Sequence, residues 1–281
     1  MRIHLVTYAT PRFRVRQLVL GWSARLNHVA DTVTSWTPER LRSAGFEDRV
    51  KDIRLDERGS GFWAWKPFII ESKLREVPDG DLVFYCDVGR LYPFKLVDQP
   101  VAPYLQWMES RKQDVMPGVR IPWDGDISTW TKREAFVATE MDQPEIHTAS
   151  PVQASFSIWR AGMTSRDFVG KWLDLCAQRP LISDDPCRDG LDEHPKFRAH
   201  RHDQALLTLC CIKQGIMGLD ISCTQPSIDT RHPSEVSRLV FGDVLESLSL
   251  AGRALRLFVA LVGQIEQVMR RKIKFGKPIS D

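Results

Sequence analysis

The sequence has no stretch of about 18 uncharged apolar residues, the length a helix needs to span a bilayer, so no membrane-crossing segment is predicted. It lacks low-complexity tracts, and with 43% hydrophobic and 27% charged residues it has the balance of a folded chain, not a disordered one. Cysteine pairs at CxxC spacing are missing. The six cysteines stand at 86, 176, 187, 210, 211 and 223 and read as reduced, mostly buried thiols. No nucleic-acid-binding motif is present, and no nucleic-acid partner is expected. The net charge of +3 suits a surface that meets phosphates or anionic lipid without requiring nucleic acid. Residues 1–16 hold an apolar stretch too short for a signal-peptide core, which predicts a cytoplasmic protein.

What the chain has is enough length, 281 residues, for one α/β domain with C-terminal additions. Residues 1–235 are expected to form that domain, a mostly parallel central sheet flanked by helices. Residues 236–281 follow as an amphipathic, basic helical extension. Segments 3–8 and 82–86 are short apolar runs that read as strands, and 49–55 as a further strand. Helical spacing marks 16–28, 68–77, 104–111 and 166–178, the last with Phe168, Val169, Trp172, Leu173 and Cys176 on its apolar face. QASFSIW, 153–159, alternates as a strand with Ala154, Phe156 and Ile158 on one side and Ser155, Ser157 and Trp159 on the other.

Residues 58–90, RGSGFWAWKPFIIESKLREVPDGDLVFYCDVGR, compress a Gly/aromatic loop, a basic anchor, a helix and a buried strand into about one βα unit ending on Asp87. In open α/β sheets ligands gather outside the carboxyl ends of strands, so Asp87 is well placed for chemistry. If the first strand is its parallel neighbour, Thr7, Tyr8 and Thr10 arrive at the same edge. Asp79-Gly80-Asp81 lies at the opposite end of that strand and reads as a turn. Asp124-Gly125-Asp126, in a Trp-rich loop, reads as a turn or an acceptor-binding acid.

Lys66 follows Trp63 and Trp65 and precedes Pro67, which fits a first helical turn where a missing N–H costs nothing. A lysine at a helix opening, beside Gly59 and Gly61, is a candidate diphosphate contact; the alternative is a solvated surface lysine. Of the two tryptophans, one is expected in the core and one as a stacking surface. His200, His202 and Asp203 in HRHDQ have His-x-His spacing that could bind metal, but no neighbouring cluster completes a zinc set. Asp203-Gln204 at a helix start either caps the helix or orients a polar substrate.

Taken together, RGSGFWAWKP, DGDLVFYCDVG, the element Trp130-Thr131-Lys132-Arg133, QASFSIW and HRHDQALLTL resemble a bacterial family of glycosyltransferase-A-like enzymes found with surface-polysaccharide genes. The resemblance covers roughly residues 1–235. It is distantly similar to retaining transferases of the glycogenin and lipooligosaccharide galactosyltransferase type, which carry Tyr-Leu-Asp-x-Asp and a later Asp-Gln. The likeness implies a GT-A, Rossmann-like fold, a nucleoside diphosphate sugar donor, usually a UDP-sugar, and a divalent cation such as Mn2+ or Mg2+. Asp87 then matches the first Asp of the metal motif, Lys66 the basic residue before it, and Asp203-Gln204 the later catalytic pair. Thr7, Tyr8, Trp65, Lys66 and Asp87 become the donor-binding set. Gly89 stands where the second metal-motif Asp would be.

Two other functions compete with a transferase acting on a saccharide or lipid-linked acceptor. One is a metal-dependent hydrolase with His200, His202, Asp203 and Asp87 as ligands, marked by tight stoichiometric metal. The other is a catalytically silent nucleotide- or glycan-binding module. The tail over 244–281, apolar with the basic cluster Arg270, Arg271, Lys272, Lys274 and Lys277, reads either as a helix lying on the inner face of an anionic membrane or as one packed on the domain.

Overall fold

The computed structural model describes residues 1–26, 28–88, 102–188 and 190–219. Gly89, Cys223 and the tail over 236–281 lie outside the described residues. In chain order the main elements are β1 (Ile3–Tyr8), α1 (Arg14–Leu26), β2 (Thr32–Trp36), α2 (Trp65–Glu76), β3 (Leu82–Cys86) and α3 (Ala102–Ser110). They continue with β4 (Val115–Met116), β5 (Val119–Arg120), β6 (Val152–Gln153), β7 (Phe156–Arg160), α4 (Met163–Cys176) and α5 (His202–Gln214).

The central sheet has five strands in the order β2-β1-β3-β7-β4, and β5 pairs with β6 in a separate ribbon. β1 is parallel to both β2 and β3, whereas β7 is antiparallel to β3 and β4. The sheet is therefore mixed: four strands run one way and β7 against them.

The pleat sorts alternate residues to two cores. Val6, Tyr8, Val83, Tyr85 and Trp159 face one side, under α2, α4 and α5. Leu5, Leu82, Phe84, Phe156 and Ile158 face the other, under α1 and α3. The protein is thus a three-layer α/β/α domain. All five predicted apolar residues of α4 are buried.

Two sequence expectations fail. Residues 49–55 are not a strand: a short helix, Phe46–Val50, runs into irregular chain. Its buried residues Val50, Ile53 and Leu55 do not keep the two-residue period of a strand, while the β-branched run at Thr32–Trp36 supplies the sheet edge. The 153–159 strand is interrupted by a turn at Ala154-Ser155, which resets the alternation, so Ala154 joins the core of Trp159 and not that of Phe156. Among the described residues the free cysteines are Cys86, Cys176, Cys210 and Cys211, all buried, and half-buried Cys187. No described helix is long and apolar enough to cross a membrane.

Candidate functional site

The sheet order fixes where a site can form. From β1 the chain crosses through α1 on one face to β2, then returns through α2 on the opposite face to β3, on β1's other side. The gap between β1 and β3 is therefore a topological switch point, the place beyond the carboxyl ends of the strands where open α/β sheets bind ligands. Val6 is level with Tyr85, so continuing the register brings Tyr8 level with Asp87.

Lys66 reaches the switch point by an unusual route. Gly59, Ser60, Gly61, Phe62 and Trp63 all have positive φ, between 52° and 83°, and wind a left-handed turn. Residues with a side chain lose roughly 1–2 kcal/mol each in that conformation. A Cβ on Gly59 would lie 2.5 Å from the Trp63 ring, and one on Gly61 would lie 2.8 Å from Ile53 Cγ2, so both positions require glycine. Several contacts offset the strain. Phe62 N–H donates to Arg58 O at 2.7 Å, and the Trp65 indole N–H donates to Gly59 O at 2.9 Å. Phe62 and Trp63 lie on the His202 ring at 5.4 and 5.3 Å.

Because this segment is a wound turn and not an extended strand, Trp63 and Trp65 do not simply alternate. Trp65 is buried and stacks on Tyr8 with ring centroids 4.0 Å apart; Trp63 is half-buried against His202. Thus Tyr8, Trp65 and Tyr85 line one wall. Thr7, on the alternate side of β1, belongs to the opposite face of the sheet and does not join them. Its Oγ1 is buried without a hydrogen-bond partner.

Lys66 is not solvated, and its charge is met first by two carboxylates of the protein itself. Its ammonium lies 2.8 Å from Asp203 Oδ2 and 3.7 Å from Asp87 Oδ1, and 5.3 Å from the centre of the Tyr85 ring. The Asp203 contact is a buried ion pair. The Lys66 backbone N–H is occupied by Trp63 O at 2.9 Å, which reduces what the opening of α2 offers a ligand. The Tyr85 hydroxyl donates to Asp87 Oδ1.

Burial opposes every charge in this group. It would push Lys66 down, but Asp203 and Asp87 outweigh it and leave the ammonium raised. Burial lifts the Asp203 carboxyl, against the pull of Lys66 and with help from Asp87, to about 6. Burial and then Asp87 hold the Tyr85 phenol well above its ordinary value.

Asp203 is the second residue of α5; Arg201 occupies the cap position, so the capping alternative is excluded. The Asp203 backbone carbonyl accepts the Trp172 indole N–H at 2.9 Å. Gln204 Oε1 accepts from Ala154 N–H at 3.4 Å, and its Nε2 is buried without a partner. Tyr85 and Trp172 were not among the predicted residues. Tyr85 was findable, since it lies two residues before Asp87 and so on the same strand face; Trp172 gave no signal beyond its helical face.

Three of the four ring nitrogens of His200 and His202 are hydrogen-bonded within the fold. His200 Nδ1 accepts from Lys132 N–H at 3.2 Å while its Nε2–H donates to Leu181 O at 2.8 Å, so both nitrogens are used. His202 Nδ1 donates to Ile182 O at 2.8 Å. A His-x-His metal site is not formed. Burial, with neighbouring His202, pushes His200 down to about 3. A depressed histidine stabilises the fold fully above its unfolded value of about 6.5, and that contribution is lost as pH falls toward the folded value. His200→Gln is therefore expected to flatten the decline of the urea midpoint between about pH 6.5 and 4; an unaltered slope would assign the decline to other groups.

Asp79-Gly80-Asp81 is a turn, as the topology suggests, and Asp124-Gly125-Asp126 starts at the end of a 3-10 turn with both acids ion-paired. Asp81, at the amino end of β3, accepts from Arg2 N–H at 2.8 Å and pairs with His4 at 3.1 Å. Asp124 ends the 3-10 turn Pro122–Asp124 and pairs with Arg201, whose guanidinium lies 3.8 Å over the Trp130 ring; Asp126 pairs with Lys196.

A divalent cation asks for several oxygen ligands. Here Asp87 already accepts from Tyr85 and faces an ammonium that also takes Asp203, and among the described residues no group of three candidate ligands forms. These residues do not fit a cation held by protein groups alone. No protein-family model, curated protein or solved structure matches the chain.

Proposed function

We propose that the chain is a glycosyltransferase of GT-A type that takes a sugar from a nucleoside diphosphate sugar, in the first instance a UDP-sugar. The acceptor is a saccharide or lipid-linked glycan of surface-polysaccharide synthesis. The observation that carries this reading is the convergence of Lys66, Asp87 and Asp203, from three separate elements, at the switch point between β1 and β3. The aromatic wall of Tyr8 and Trp65 beside it supports a site for a planar base.

Sugar transfer breaks the anomeric C–O bond while negative charge grows on the leaving diphosphate. Positive charge in a poorly solvated site stabilises that change most. Lys66 brings positive charge there, and Asp87 would share a divalent cation with the diphosphate's own oxygens, which supply the ligands the protein groups lack. Asp87, partly exposed, meets the donor from the solvent side. Gln204 and Asp203 at the opening of α5 hold the transferred sugar or face its reacting carbon. Since both His200 nitrogens are engaged, the hydrolase alternative loses a ligand it needs.

Calorimetric titration with UDP and UDP-sugars, with and without Mn2+, tests the donor site, and UDP release over an acceptor panel tests turnover. Asp87→Ala is expected to weaken UDP binding at least about tenfold. Equal binding by both proteins would remove Asp87 from the donor site, and binding without any release would favour a silent module.

A further inference from the structure

Helix α1 turns Gln17, Leu20 and Ala24 to the core, yet Val15, Leu18, Trp22 and Leu26 are 61, 46, 55 and 45% exposed. Their spacing of three, four and four residues places them on one outward face. Exposed Arg25 borders the stripe, and Arg12 and Arg16 stand at its amino end, both with guanidinium groups over the Phe13 ring at 5.5 and 5.8 Å. Residues 1–30 contain five arginines and no acid; the first carboxylate, Asp31, is bonded to the Ile3 N–H.

We propose that this outer face of α1 docks on an anionic lipid bilayer. An apolar stripe with a tryptophan, edged by arginines of which two lie over the Phe13 ring, matches the boundary between headgroups and acyl chains. Charge selects lipid over the other occupants. A second copy meeting the same face by twofold symmetry would set arginine against arginine. The basic cluster over 270–277 of the chain's own tail would likewise set positive charge against these arginines. The proposal does not depend on sugar transfer, because its readout involves no donor.

The test is co-sedimentation of the full-length protein with phosphatidylcholine vesicles, with and without phosphatidylglycerol, alongside sedimentation velocity without lipid. Wild type is expected to bind the anionic vesicles and to release at high salt. Leu18→Ser with Trp22→Ser is expected to weaken binding at least about tenfold. Arg12→Gln with Arg25→Gln, which leaves the stripe intact, is expected to weaken it about thirtyfold. Unchanged binding of the Leu18→Ser, Trp22→Ser protein would overturn the proposal, as would failure of wild type to bind. A lipid-free dimer that the same variant disperses would overturn it in favour of a second copy.

Discussion

Replacing Lys66 by methionine is expected to lower the unfolding free energy by about 3–5 kcal/mol, the usual loss when one member of a buried ion pair is removed. The ammonium side chain is only 5% exposed, and its removal leaves Asp203 and Asp87 facing each other in poorly solvated space. Adding Asp203→Leu withdraws the stranded charge and is expected to restore most of the loss, as read by urea denaturation at neutral pH. A double variant no more stable than the single one would mean that Lys66 supports the fold by something other than pairing.

The pH dependence carries a definite sign. A carboxyl raised by folding favours the folded state below its unfolded value of about 4 and withdraws that contribution as pH climbs through the folded value. For Asp203, raised mainly by burial to about 6, that window spans mildly acidic pH. Lys66 pulls Asp203 down, so without it the folded value rises further. Lys66→Met is thus expected to lie closest to wild type in acid and furthest from it above about pH 7.

Asp203→Asn addresses chemistry more than stability, since asparagine keeps the shape and leaves Lys66 its contact with Asp87. For the proposed transfer, kcat is expected to fall roughly 10²–10³-fold, the scale on which a preorganised electrostatic group acts. The donor KM should move far less. The wild-type rate should also show an acid limb near the Asp203 value, and that limb should vanish in the variant. Unchanged turnover would reject the role; a loss confined to KM would make Asp203 a binding group.

Strand β3, helix α2 and the position of Asp87 were legible because their signals are local: an apolar run, a proline in a first turn, an acid where a strand stops. The pairing of Lys66 with Asp203 was not, because it depends on how α2 and α5 pack against the same sheet face. The sequence reading placed both residues at the site but aimed Lys66 at a phosphate, whereas the fold first aims it at carboxylates. Thr7 was misassigned by strand end alone; counting the two-residue pleat from Tyr8 would have sent it to the other face. His200 misled for the opposite reason, since its ring is consumed by the Lys132 amide and the Leu181 carbonyl, partners that no spacing reveals.

The left-handed winding of residues 59–63 sets how α2 begins. A run of one hand cannot become the other by small adjustments, because each residue must cross a forbidden region of backbone space. Across the wound run Trp63 reaches His202, and Trp65 bonds back to Gly59. Lys66 follows three residues after Trp63, inside the first turn of α2, so the winding sets where its side chain starts from. A substitution that unwinds residues 59–63 would displace Lys66 from Asp203 while leaving the Tyr85–Asp87 bond on β3 in place.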